Sequence, residues 1–271
     1  MLREVRTKQR IPPKERRKLI LAQVLAGDGR VAGLSTRFDV SESTIRRDLR
    51  SLTQEGHVAR TYGGAIFNPR AVESSFDDKQ LRNFREKDAI AAQAAELIQD
   101  SDVVILDAGT TTGRLAWYLR ERTDLTVITN AVNVLHTLSV TEGPEVVVLG
   151  GGLRRINQAL LGGIAESNLG RLRADRVFLG AEGISARGIS CPTMAQSYLK
   201  ELMLEHADEV YVLTDHSKLS ATPFAYCAEL DRPYTLITDS LVPAERVREF
   251  ERIDLATLVI AEVTAVGFAR A

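Results

Sequence analysis

Two groups of residues in this chain have the types and spacing to engage anions. The first is Ser41-Glu42-Ser43-Thr44-Ile45-Arg46-Arg47-Asp48-Leu49-Arg50, where hydroxyls and guanidiniums recur at helical spacing. With Ile45 at the origin of a helical wheel and about 100° per residue, Leu49 falls about 40° and Leu52 about 20° away, a buried seam. Ser43, Arg47, Arg50 and Gln54 fall within about 40° of the opposite pole. Such a face suits a major groove: Arg pairs with guanine O6 and N7, and Ser or Thr bonds base edges or phosphate. Thr44 and Arg46 flank the stripe, where backbone phosphates would lie. An Arg-rich helical face taken alone is more often simply solvated. Its place as a third helix, between a basic arm and a basic hairpin, favours DNA.

The second group closes the apolar run Val103–Leu106: Asp107-Ala108-Gly109-Thr110-Thr111-Thr112-Gly113, read as a loop before a helix. In an open α/β sheet ligands bind at the C-terminal ends of strands. A small, hydroxyl-rich loop there offers backbone N–H groups, Thr hydroxyls and a helix N-terminus to a phosphate. Gly and Thr are also ordinary turn residues, so this loop alone weighs evenly between the two readings. Further polar strand ends tip the balance: Thr129-Asn130, Gly150-Gly151-Gly152, Gly180-Ala181-Glu182-Gly183 and Asp215-His216-Ser217-Lys218. Lys218 is the natural point charge for a phosphate. Cys191 and Cys227 lack a CxxC, and His57, His136, His206 and His216 lack ligand spacing, so neither metal, disulfide nor cofactor is expected.

The elements that must position these groups follow from composition and periodicity. At 271 residues, 44% hydrophobic and 26% charged, the chain can fill one large or two ordinary cores, which excludes a disordered polymer. The formal net charge of −1 hides a division. Residues 1–70 hold 15 Lys/Arg against 7 Asp/Glu, and the remainder 20 against 29. Two domains with different partners follow, the first facing a polyanion. No apolar run approaches the roughly 20 residues of a membrane span, so a cytoplasmic protein without a membrane partner is expected.

Residues 1–13 read as a basic arm. Helices over Lys14–Ala26, over Gly33–Phe38 and from after Ser41, its N-cap, to Glu55, then a short strand and turn at His57–Gly64, outline a winged helix-turn-helix over 14–67. Residues 68–88 read as a linker. From 89 to 271 short β-branched runs alternate with helices, predicting an α/β domain with a mainly parallel sheet covered by helices on both faces.

The stretch Ser41–Leu49 with Gly56, Arg60 and Tyr62-Gly63-Gly64-Ala65 resembles the N-terminal signature of the DeoR family of bacterial sugar-metabolism regulators. Tyr62 departs from it, since the family commonly has His there. The resemblance implies DNA contacts from Ser43, Thr44, Arg46 and Arg47, with Arg60 a wing contact to phosphate; Ser41 at the head of the helix and Arg50 on its outward face complete the expected DNA-binding set. Asp48 is expected to pair with a neighbouring Arg. Asp107-Ala-Gly-Thr-Thr, Thr129-Asn130, Gly151-Gly152, Phe178-Leu-Gly-Ala-Glu-Gly-Ile and Asp215-His-Ser-Lys218 are similar to the effector domain of the same family, whose fold is ribose-5-phosphate-isomerase-like. The effector set so implied is Asp107, Gly109, Thr110, Thr111, Thr112, Thr129, Asn130, Gly151, Gly152, Glu182, Lys200, Asp215 and Lys218. Gln196 stands four residues before Lys200 where the family usually has Glu. Leu179 occupies the first carboxylate position of the isomerase's Asp-Gly-Ala-Asp string, and Leu cannot act as the base that an enediol isomerisation needs.

The expectation is therefore a transcriptional regulator, a repressor by family prior, not an enzyme. It binds a double-stranded DNA operator, responds to a phosphorylated sugar or polyol, and acts as a homodimer or homotetramer. The alternatives are a sugar-phosphate isomerase carrying a nucleic-acid-binding module, and a second domain that only oligomerises.

Overall fold

The structure is a computed structural model that describes residues 11–25, 28–54, 58–67 and 73–263. The chain divides into two compact units, 1–72 and 73–271. The basic arm lies outside the described residues except for 11–13.

In the first unit α1 (Pro13–Leu25), α2 (Val31–Phe38) and α3 (Glu42–Gln54) precede a hairpin of β1 (Val58–Thr61) and β2 (Gly64–Phe67). Ile20, Val24, Val31, Leu34, Ile45, Leu49, Leu52 and Val58 form its core. Ser41 caps α3: its Oγ accepts from the Thr44 amide at 3.3 Å. At Gly64 a Cβ would stand 2.5 Å from the Gly29 carbonyl oxygen. Only glycine lets the hairpin turn approach the loop before α2 so closely.

The second unit begins with α4 (Phe76–Leu81) and α5 (Phe84–Ala95), so the segment expected as linker is helical over much of 73–88. There follow β3 (Val103–Leu106), α6 (Thr110–Leu119), β4 (Thr126–Thr129), α7 (Val132–Leu138), β5 (Glu145–Val148), the hairpin β6 (Gly152–Arg154) and β7 (Ala159–Leu161), and α8 (Gly163–Leu169). The chain continues with β8 (Ala174–Gly180), β9 (Ile184–Ser185), β10 (Gly188–Cys191), α9 (Met194–Glu205), β11 (Ala207–Leu213), β12 (Tyr226–Glu229), β13 (Tyr234–Asp239), α10 (Ala244–Phe250) and β14 (Ala256–Ala261). The main sheet has seven strands in the order β14-β13-β11-β8-β3-β4-β5, and every pairing is parallel.

Side chains alternate across these strands, as the period of 2 requires. Ile105, Val177, Leu179 and Val212 face one way, into a core completed by Leu169, Leu199, Met203 and Phe250 of α8, α9 and α10. Val104, Leu106, Phe178 and Leu213 face the other, against Ile90, Leu115 and Val134 of α5, α6 and α7. Helices thus cover both faces, which is why the strands read as near-continuous apolar runs.

The chain leaves β3 towards β4 and β5, then returns through β8 to build β11, β13 and β14 on the other side. The direction of winding reverses between β3 and β8. The loops after their C-terminal ends diverge there, opening a crevice.

Candidate functional site

The crevice is a cavity of about 520 Å³ including its open mouth, and residues far apart in sequence line it. Ala108, Gly109, Thr110 and Thr111 come from the end of β3, while Gly180, Ala181 and Glu182 come from the end of β8. Lys218 follows β11, Lys200 and Gln196 project from α9, and Phe76 and Lys79 come from α4.

The helix expected from Gly113 begins at Thr110, which corrects the reading of 108–113 as a loop. The Thr112 hydroxyl donates to the Gly109 carbonyl at 3.1 Å, and the Gly113 amide to the same oxygen at 3.1 Å, so the first turn winds at once. Thr110 and Thr111 therefore present first-turn amides, which lack intrahelical acceptors, at the cavity edge.

The charges are arranged in pairs. Lys79 Nζ donates to Glu73 at 3.1 Å and also to Glu182. Burial pushes the Glu182 carboxyl up, but the Lys218 and Lys79 ammoniums outweigh it and hold it below the usual carboxylate range. Lys218 Nζ donates to the Ala181 carbonyl at 2.8 Å and stands 3.9 Å from Asp215. Lys200 is buried against Asp107 and donates to the Gly180 carbonyl at 2.8 Å. Burial works against its charge, but Asp107 prevails and raises its pKa.

Of the predicted effector residues, Gly109, Thr110, Thr111, Glu182, Lys200 and Lys218 meet in the cavity lining. Asp107 and Asn130 line a smaller adjoining cavity, and the Asn130 Oδ1 accepts from the Ala108 amide at 3.0 Å. The remainder line neither cavity, each committed to backbone geometry or to a neighbour. Thr112 is fully buried, and Thr129 donates to the Leu106 carbonyl at 2.7 Å. Gly151 has φ +107° with a Cβ position 2.5 Å from the Leu161 carbonyl oxygen, and Gly152 opens β6. Asp215 is buried and accepts from Asn83 at 2.7 Å and from Ser217 at 2.5 Å.

Phe76, Lys79, Asn157, Ser190 and Pro192 escaped sequence reasoning, and Gln196 was noted there only as a departure from the family. Lys79 sits in a charged stretch with no apolar periodicity, and Asn157 in a turn, where Asn is commonplace. Leu179, at the lost carboxylate position, is fully buried in the core and offers the cavity no base.

On α3 of the first unit Ser43, Arg47 and Arg50 are exposed on the side away from Ile45, Leu49 and Leu52, as the wheel predicts, and Arg46 at its flank is exposed as well. Arg46 is bonded to Glu42 at 2.9 Å, one turn away, and Thr44 is half-buried beside Ser41 at 2.9 Å. Asp48 is turned inward, its Oδ2 2.7 Å from Arg16 Nε. Arg60 lies in β1, but its side chain falls outside the described residues.

Comparison with known proteins gives two family matches: the DeoR-like helix-turn-helix domain over residues 16–71 and the DeoR C terminal sensor domain over 82–240. The transcriptional repressor GlcR of Bacillus subtilis is 39% identical over 77% of this chain and 81% of its own. A lactose phosphotransferase system repressor of Lactococcus lactis is 31% identical over 88% of this chain and 96% of its own. Among solved structures, ribose 5-phosphate isomerase A from Methanocaldococcus jannaschii overlays 51% of this chain and 55% of its own at TM-score 0.37 and 20% identity. The two repressors match more than three quarters of this chain, and no described helix is long and apolar enough to cross a membrane. A helix-turn-helix unit that presents an arginine face, joined to a sensor unit with a switch-point cavity, makes this chain a member of the DeoR family of DNA-binding transcriptional regulators.

Proposed function

We propose that the protein represses carbohydrate genes from a double-stranded operator read by α3, and that a phosphorylated sugar or polyol in the sensor cavity sets its affinity for that operator. The observation that carries the effector reading is the junction of the Thr110 and Thr111 first-turn amides with Lys218 and Lys79 at the winding reversal of a parallel sheet. The relatives' names, one of them a repressor of a lactose phosphotransferase system, agree with a sugar-derived ligand. One recognition helix is too small for operator specificity, so the protein acts as a homodimer or homotetramer in the cytoplasm.

Coupling runs through α4. This helix has six residues and no buried side chain, and is held by Lys79 to Glu73 and Glu182. Helices so short have little stability of their own. An anion that draws Lys79 away from Glu182 weakens that hold, and α4 is the first element after the reading unit ends at Val72.

A thermal-shift screen of the full chain tests the effector reading. Phosphorylated sugars or polyols are expected to raise the melting temperature where their unphosphorylated parents do not, and Lys218→Met is expected to abolish the rise. Equal effects of phosphorylated and parent compounds, or a rise that survives Lys218→Met, would reject it. The isomerase alternative is disfavoured by Leu179, whose side chain is buried in the core.

A further inference from the structure

Asn157 lies in the turn between β6 and β7 and is 7% exposed. Its Oδ1 is buried yet meets no donor among the described residues. Native proteins rarely leave such an acceptor unpaired unless a ligand or another group supplies the donor. The unpaired hydroxyls of Thr214 and Thr238 do not line the cavity. Asn157 lines both the switch-point cavity and a smaller one of about 200 Å³ including its open mouth, which admits about one water-sized group and shares Ala108, Gln196 and Lys200 with it.

The chemistry of the smaller cavity is specific. Its only charged lining residues, Asp107 and Lys200, neutralise one another. Gln196 accepts from the Thr193 hydroxyl at 3.1 Å through Oε1, which leaves its amide hydrogens for a ligand. An uncharged space with one unpaired acceptor and one amide donor suits hydroxyl groups, each of which donates one bond and accepts others. It does not suit a second anion.

We infer that Asn157 is a specificity-determining residue: its Oδ1 accepts from a hydroxyl of the neutral carbon chain of a ligand lying in the switch-point cavity, at the subsite where the smaller space opens, with the anionic end held at Thr110, Thr111 and Lys218. The inference rests on the phosphate reading of the cavity and adds the group that tells a sugar or polyol phosphate from phosphate alone. A site built to bond a hydroxyl discriminates strongly against compounds that lack it, because its polar groups are then left unpaired.

The test uses the full chain and its Asn157→Leu variant, titrated calorimetrically with inorganic phosphate and with glucitol 6-phosphate, fructose 6-phosphate and glycerol 3-phosphate. The wild type is expected to hold the tightest organic phosphate at least tenfold more firmly than inorganic phosphate. Asn157→Leu is expected to erase most of that margin while changing the inorganic phosphate affinity less than twofold. Without any ligand the same variant is expected to melt higher, because it removes a buried unpaired acceptor. A margin unchanged in Asn157→Leu, or a lower melting temperature without ligand, would overturn the inference by assigning the carboxamide to the turn itself. If inorganic phosphate binds and no organic phosphate binds more tightly, the subsite fails while the phosphate reading stands. If none of the four binds, both fail.

Discussion

Asp48→Ala tests whether the reading helix is held by a buried charge. Arg16 Nε and Asp48 Oδ2 are 2.7 Å apart, with side chains 9% and 4% exposed, and they tie α1 to α3. Among the described residues the other bond to the guanidinium is a 3.2 Å contact to the Ile11 carbonyl. Removing the carboxylate strands a buried cation, which costs about 3–5 kcal/mol. A unit of this size has a total stability on the order of 3–10 kcal/mol, so the loss takes a large share of it. Hydrogen exchange read by mass spectrometry separates peptides of the two units. Protection in α1 and α3 should fall by about 2 to 3.5 orders of magnitude, the same energy at about 1.4 kcal/mol per decade. Protection in β3, β8 and β11 should be unchanged. The double variant Arg16→Met, Asp48→Leu should recover most of the loss, because a well-packed apolar pair replaces an ion pair at little cost. Protection of α1 and α3 within threefold of wild type in Asp48→Ala would refute the reasoning.

Other outcomes follow from the same geometry. Arg47→Ala removes an exposed guanidinium from the middle of the α3 face and should weaken specific operator binding by about 1–3 kcal/mol in a gel-shift titration at fixed salt, with smaller losses on random duplex. Lys87 is a buried residue of α5 whose ammonium donates to the Arg82 carbonyl at 2.7 Å and to that of Lys79 in α4, and burial followed by the charge of Lys218 pushes its pKa down to about 8. Between that value and the ordinary lysine pKa of about 10.4 the unfolded chain binds the proton more than the folded one, so stability rises with pH there. The wild type should accordingly gain on Lys87→Met from pH 8 to 10 in denaturant titrations, and a flat difference would contradict the assignment. Gly64→Ala forces the hairpin turn off the Gly29 carbonyl and should lower protection in β1 and β2 without altering the sensor unit.

What the sequence made legible divides along the range of the interactions involved. The register of α3 was readable because Ile45, Leu49 and Leu52 form one apolar stripe, a local signal that tertiary packing then uses unchanged. The parallel strands were readable because a sheet buried on both faces demands β-branched runs. α4 was missed because its one local mark, the Ser75 cap that accepts from the Asp78 amide at 3.2 Å, precedes no apolar stripe: Phe76–Leu81 has no buried side chain and is held by ion pairs to residues as distant as Glu182. The start of α6 slipped by three residues because Thr110, Thr111 and Thr112 are poor helix formers that the strand end and the Gly109 carbonyl nonetheless set into a first turn. β6, β7, β9, β10 and β12 have two to four residues each and lie outside the main sheet, so unlike β3, β4 and β5 they carry no β-branched run. At the cavity, strand-end motifs pointed to Glu182 and Lys218, whereas Asn157 and Lys79 reach it through connections that no spacing records.

The account depends on one linkage, that an anion at the β3–β8 crevice changes how firmly α3 holds DNA. Fluorescence anisotropy of the gene's own upstream duplex, titrated with the full chain at fixed salt, measures it directly with and without a saturating sugar phosphate that stabilises the sensor. An affinity change of about 5- to 150-fold is predicted, the range of ordinary allosteric coupling, and it should vanish in Lys218→Met. The same affinity within twofold, in the presence of a ligand shown to occupy the cavity, would contradict it.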